Sequence, residues 1–397
     1  MLAKTEGTVS YKADNYQDVI NQTAEGQILY SINSSNVANK ELKSQSIKDF
    51  QNALYEIQNN ERKTLKSTEV VAYASPDGGE KLNAKLSDKR ATSADKAWNK
   101  VTKDAQVTDP SVKSIGQDWE GFQELVKASD IEDKDLILRV LSMYSDPAVR
   151  ENEIKNMSQV FTSLKKTVLP ELRRARFIAN VEFQNYTSAE LLKLIEANAD
   201  VLDEEALLRA ATLVRNASDK MTLYKKAIAK FGSDRAQFNL ATVLLNTGKT
   251  SEAAKEYAKV ATKDADLENA LGVIALRNGN LEAAEKSFVK AGTDDAKENL
   301  GTVAILKGDY KKAVELLAGT GSCNEAVAYL LADQPQKVES VVKCNCPRSN
   351  YIKAIAAARL GDSKKVAEYL GKASANKEFK ARLENDVEFA KYNVVIK

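Results

Sequence analysis

The chain has 397 residues, with 58 Lys and Arg balancing 56 Asp and Glu, a formal charge of +2, and no histidine. At 43% hydrophobic and 29% charged residues it has the composition of a folded globular protein, and its length implies two or three domains. The interspersed signs argue against a nucleic-acid partner, and no apolar run reaches the roughly 18 residues of a membrane span. The missing histidine removes Ser-His and Cys-His catalysis and the commonest metal ligand.

The N-terminus, Met1-Leu2-Ala3-Lys4-Thr5-Glu6, is polar and lacks the apolar core of a secretory leader. A cytoplasmic protein and one whose leader has been removed both fit it. Residues 1–25 read as an N-terminal segment. Alternation of Ile28, Tyr30 and Ile32 predicts a strand over 27–33, and Leu42, Ile47, Phe50, Leu54 and Ile57 predict a helix over 41–60. A second strand is expected over 65–74, a second helix over 81–103 and a third strand over 110–115. This βαβαβ order argues for a sheet with helices packed on it. Short helices follow from Asp118 to Pro170, and a strand returns over 178–183. The Arg173-Arg174-x-Arg176 run reads as a solvated edge.

The most informative stretch is Tyr73-Ala74-Ser75-Pro76-Asp77-Gly78-Gly79, which ends the second strand. The following helix carries Asn83, Leu86, Ser87, Arg90 and Ala91. This resembles the central motif of OmpA-like peptidoglycan-associating domains, in the branch whose strand ends in Tyr-Ala-Ser-Pro-Glu/Asp-Gly. Asp118-Trp119-Glu120-Gly121 and Leu169-Pro170-Glu171-Leu172-Arg173 resemble that branch too, which has a helical insertion before its last strand. The resemblance covers residues 26–186, with the insertion at about 118–170. It implies that the domain associates with peptidoglycan through Ser75, Asp77, Asn83 and Arg90. In the family an aspartate and the arginine grip the amino and carboxylate groups of a cross-link diamino acid. Arg90 occupies the arginine position, but Ser75 stands where the aspartate belongs, so binding is expected to be weakened unless Asp77 reaches in. Asn33 reads as a turn residue. The resemblance also implies an envelope location, periplasmic or outer-membrane-associated, with a lipoprotein anchor left open.

From residue 187 to 397 every signal is helical and the text repeats. Gly248, Gly279, Gly308, Asp333 and Gly361 mark turns between paired helices such as Asn269-Ala270-Leu271-Gly272 and Ala283-Ala284-Glu285-Lys286. Units recur every 25 to 31 residues, and an earlier one spans Ala206 to Phe231. This is similar to tetratricopeptide repeats, whose stacking builds a core no single unit can form. It implies a groove for a protein partner.

Cys323, Cys344 and Cys346 are the only cysteines, and without histidine they fall short of a four-ligand zinc site. A Cys323–Cys344 disulfide across a helix hairpin and buried free thiols are both open. No phosphate loop, dinucleotide fingerprint or nucleophile elbow occurs, so no enzyme activity and no cofactor are expected. The expected protein is an α/β OmpA-like domain followed by an all-α repeat domain, a non-enzymatic envelope protein. The alternative is a pure protein–protein scaffold whose first domain has lost its ligand.

Overall fold

A computed structural model describes residues 2–132, 134–383 and 385–392. Residues 384 and 393–397 of the expected repeat domain lie outside the described residues. The chain divides into two compact units, Gln17–Thr187, and Met1–Tyr16 together with Ser188–Lys397.

The first unit runs β1 (Val19–Leu29), α1 (Gln45–Asn59), β2 (Lys63–Ala74), α2 (Glu80–Val101) and β3 (Ser111–Gln117). Four helices follow, α3 (Trp119–Ala128), α4 (Lys134–Met143), α5 (Pro147–Asn156) and α6 (Ser158–Thr167), before β4 (Arg174–Gln184). The sheet order is β1-β4-β2-β3. β2 and β3 are parallel with α2 as the crossover, and β4 lies antiparallel between β1 and β2. Along β4 the alternation is strict: Ala175, Phe177, Ala179 and Val181 are buried and the residues between them are not. They meet the apolar stripes of α1 and α2, where Phe50, Trp98 and Phe177 form a cluster with centroids 5.8–6.3 Å apart. The inserted helices build a separate core around Phe122, Ile137, Ile154, Leu164 and Leu172.

The first strand is displaced from its expected place. It begins at Val19 and stops at Leu29, because Ser34 N donates to Ser31 C=O and Asn33 sits at φ +55° in a turn. β1 is an edge strand with only one neighbour, so its outer half carries polar residues and shows little alternation.

The second unit stacks antiparallel helices: α7 (Ser188–Asn198), α8 (Glu204–Leu213), α9 (Ala217–Phe231), α10 (Asp234–Asn246), α11 (Thr250–Tyr257), α12 (Ala265–Arg277) and α13 (Leu281–Ala291). It continues with α14 (Asp294–Lys307), α15 (Tyr310–Leu317), α16 (Cys323–Leu331), α17 (Val338–Val341), α18 (Pro347–Arg359), α19 (Ser363–Ala373) and α20 (Lys377–Leu383). Gly248, Gly279, Gly308, Asp333 and Gly361 all have positive φ at the turns inside helix pairs. This is a tetratricopeptide-like array, and described residues 190–392 contain no strand. Small residues set the crossings. Ala270 and Ala284 are fully buried, and a Cβ on Gly272 of α12 would lie 2.5 Å from Phe288 Cε1 on α13.

Gly272→Ala is therefore expected to lower stability by about 1–3 kcal/mol through overpacking. A Cβ added to Gly371 of α19 would meet nothing within 4 Å. There the same change should raise stability, by roughly 0.5–1 kcal/mol, through helix propensity alone. Two melting curves check the opposite signs.

Candidate functional site

Residues 2–16 form no helix or strand, yet they belong to the repeat unit. Their main chain is held by side chains of the repeats. Asn324 Oδ1 accepts from Lys4 N at 2.7 Å while its Nδ2 donates to Lys4 C=O at 2.9 Å. Asn299 grips Thr8 in the same two-way manner, at 2.8 and 2.9 Å. Asn239 does so with Lys12, at 2.7 and 2.9 Å. Alternating with these clamps, Arg348 donates to Leu2 C=O at 2.8 Å, Arg277 to Glu6 C=O at 2.6 Å, and Asp295 accepts from Ser10 N at 2.8 Å. Every second residue from Leu2 to Lys12 is thus engaged through its backbone, the period of an extended chain.

Asn239, Asn269, Asn299 and Asn324 lie within the first two turns of α10, α12, α14 and α16, the leading helices of successive pairs. All are buried. They also brace one another: Asn269 Nδ2 adds a second donor to Thr8 C=O at 2.9 Å, and its Oδ1 accepts from Asn299 Nδ2. Thr302 Oγ1 accepts from Asn324 Nδ2 at 2.9 Å. In α18 the equivalent residue, Asn350, donates to Cys346 C=O and Asn345, and its buried Oδ1 has no partner among the described residues.

Side chains of the segment are engaged as well. Ala3 and Val9 are buried in the repeat cores. Gly7 has φ +68°, and a Cβ there would fall 2.8 Å from Val273 Cγ2, so both backbone and space require glycine. Lys12 pairs with Asp264 at 2.6 Å and Asp266 at 2.9 Å and lies over the Phe238 ring at 4.9 Å. Burial works against its charge, but the two carboxylates prevail and raise its pKa.

In the α/β unit, Ser75, Asp77, Asn83 and Arg90 do converge at the β2–α2 loop, as a closed network. Arg90 is fully buried. Its Nε donates to Ser34 C=O at 2.9 Å, Nη1 to Tyr73 C=O at 2.9 Å and Nη2 to Ser31 C=O at 3.3 Å. The Tyr30 ring lies 4.9 Å from the guanidinium. Burial draws the Arg90 pKa down to about 10; Tyr30 opposes this, Arg173 adds to it and Asp77 opposes it. Asn83 Nδ2 donates to Ser75 C=O at 3.0 Å and Gly78 C=O at 2.8 Å. Asp77 accepts from Ser75 Oγ and faces Arg173 Nη2 at 3.4 Å, so the carboxylate is committed inside the loop. Arg173 Nε is buried without a partner among the described residues. The arginine run is no solvated edge. Arg174 pairs with the buried Asp118 at 2.9 Å and Arg176 with Glu25 at 2.5 Å.

The three cysteines are free. Of the two alternatives left open, the Cys323–Cys344 bridge is absent and the thiols are free, with only Cys323 buried; Cys344 and Cys346 Sγ are 3.4 Å apart, and all three sulfurs lie within 4.8 Å of one another.

No family model matches the sequence, and no curated protein matches it. Among solved structures it is similar to a tetratricopeptide repeat protein from Parabacteroides merdae (14% identity over 50% of this chain and 90% of that one, TM-score 0.39). It is also similar to the Cut9–Hcn1 hetero-tetramer of APC/C (15% identity, 78% and 77%, TM-score 0.44) and to the tetratricopeptide protein YrrB (16% identity, 50% and 100%, TM-score 0.27). The assignment of the array rests on its own geometry.

The sequence reading missed the asparagine ladder, although the signal was present. Asn239, Asn269 and Asn299 recur every 30 residues, at matching places in their helices. Asn299→Ala should strand Thr8 N–H, leave Thr8 C=O with Asn269 Nδ2 alone, and cost about 1–3 kcal/mol. Arg90→Met removes the common donor to three carbonyls and should also cost at least about 1–3 kcal/mol. Urea unfolding of the two variants against wild type measures both losses.

Proposed function

We propose that this chain is a non-enzymatic interaction scaffold whose repeats hold an extended polypeptide by its main chain. One observation carries this reading: the two-way asparagine clamps on Lys4, Thr8 and Lys12. A primary amide presents one donor and one acceptor in a plane, matching the N–H and C=O of one extended residue. Recognition through such pairs demands little of the ligand's side chains. Selectivity then comes from a glycine at the Gly7 place, small or branched apolar residues at Ala3 and Val9, and a cation between Asp264 and Asp266.

The groove is filled here by residues 2–15 of the same chain, so a partner segment of like chemistry must displace them. A labelled peptide with the sequence of residues 1–16 tests this on the full chain. Gly7→Asp should loosen the internal segment and admit the peptide. Adding Asn299→Ala to that variant should weaken peptide binding by about tenfold or more, one lost clamp being worth roughly 1–3 kcal/mol. No peptide binding to the Gly7→Asp chain would sink the reading.

For residues 26–186 we propose an OmpA-like domain in an envelope protein whose ligand clamp has been turned to structural use. Its support is Arg90, whose donors serve Ser31, Ser34 and Tyr73 carbonyls, and Asp77, which serves Ser75 and Arg173. This favours the pure scaffold over peptidoglycan association. The chain should stay in the supernatant when purified peptidoglycan is pelleted. Pelleting that Arg173→Met abolishes would instead restore the ligand site, entered through the unpartnered Arg173 Nε.

A further inference from the structure

Cys344 and Cys346 sit in the loop between α17 and α18, and Cys323 opens α16. The loop is held from below. Ser349, fully buried, donates its hydroxyl to Cys344 C=O at 2.8 Å and Cys346 C=O at 2.9 Å. Asn350 adds hydrogen bonds to Asn345 C=O and Oδ1 and to Cys346 C=O. Cys346 is the N-cap of α18, and its Sγ accepts from Ser349 N at 3.4 Å. The two side chains that fix the loop therefore fix the sulfurs. Cys323 faces them from a different helix.

Three sulfurs within 4.8 Å of one another stand close to the spacing that a single soft cation imposes. Metal–sulfur bonds of about 2.3 Å in tetrahedral geometry set sulfurs about 3.8 Å apart. We propose that Cys323, Cys344 and Cys346 form a three-thiolate site for one thiophilic d10 cation, Zn²⁺ or Cu⁺. Soft thiolate donors select these ions over Mg²⁺, Ca²⁺ or Mn²⁺. The fourth position opens onto a cavity of about 530 Å³ lined by Lys4, Glu298, Asn324, Cys323 and Cys344. Zn²⁺ would complete its shell there with water or a small exogenous ligand, whereas Cu⁺ is satisfied by the three sulfurs.

The protonation chemistry is consistent with this geometry. Burial alone would raise the Cys346 thiol, but hydrogen bonds from Ser349 N–H, the Ser349 side chain and its two sulfur neighbours bring it down to about 7. Burial pushes the Cys323 thiol up to about 11, reinforced by Cys344 and Cys346. Loading replaces up to three S–H bonds by three metal–sulfur bonds and releases up to three protons to solvent, with no change of oxidation state. The site also adjoins the clamp on Lys4, because Asn324 follows Cys323 in α16.

The full chain, reduced and stripped of metal, is titrated with Zn²⁺ against a chromophoric chelator, and separately with Cu⁺ against a Cu⁺-selective chelator. Co²⁺ serves as the spectroscopic probe. One equivalent should bind, with thiolate-to-metal charge transfer in the near ultraviolet for Co²⁺, and the tighter arm identifies the ion. Cys344→Ser, at an exposed position, should keep the fold and lower affinity at least tenfold; Cys346→Ser should do the same and reduce proton release. Failure of the fully reduced chain to bind any of the three ions overturns the proposal. So does binding that both serine variants leave unchanged, or a cobalt spectrum without charge-transfer bands.

Discussion

The groove of the repeat unit is organised by how an extended segment with no strand partner has its main-chain polar groups satisfied. Residues 2–15 pair with no strand, and only Ala3 and Val9 among them are buried, yet the backbone of every second residue from Leu2 to Lys12 is met by side chains of the repeats. Three asparagines meet that requirement residue by residue, and Arg277, Arg348 and Asp295 meet it between them. Because these partners project from the leading helices of successive pairs, their hold on the N-terminal segment is tied to the repeat spacing. Changing a helix crossing would move the rungs of the ladder out of step with an extended chain. The alanines and glycines at the crossings therefore set the spacing of the asparagine ladder as well as the packing.

The α/β unit shows the same requirement resolved the other way. At the β2–α2 loop the carbonyls of Ser31, Ser34 and Tyr73 turn inward, and the buried Arg90 guanidinium donates to all three. An arginine that is fully buried with its fork divided among backbone acceptors has little left to offer a carboxylate. Ser75 and Asp77 complete the arrangement: the hydroxyl donates to the carboxylate, and the carboxylate faces Arg173. The residue types of a ligand clamp are thus present, but their partners are internal. A sequence motif records which side chains stand near one another and cannot record which acceptors they reach first.

Much of the architecture was legible in the sequence because it rests on local periodicity. Alternation in β4, the apolar stripes of α1 and α2, and the recurring glycines of the helical array each follow from constraints acting over a few residues. β1 was misplaced for a physical reason: an edge strand with polar outer residues has no alternation to read. The arginine run after Leu172 looked solvent-facing by composition, yet it pairs with Asp77, Asp118 and Glu25, residues distant in the chain.

The sequence by itself determined that the chain would build a sheet-and-helix unit followed by stacked helical pairs, because hydrophobic period and turn chemistry are written locally. Only the tertiary structure decided what fills the groove and where the cysteines meet. The partners of residues 4, 8 and 12 lie more than 220 positions away. Cys323 is brought to Cys344 and Cys346 by packing of α16 against α17 and α18. Such meetings are set by how helices stack, a sum of many weak contacts that no short stretch of sequence contains.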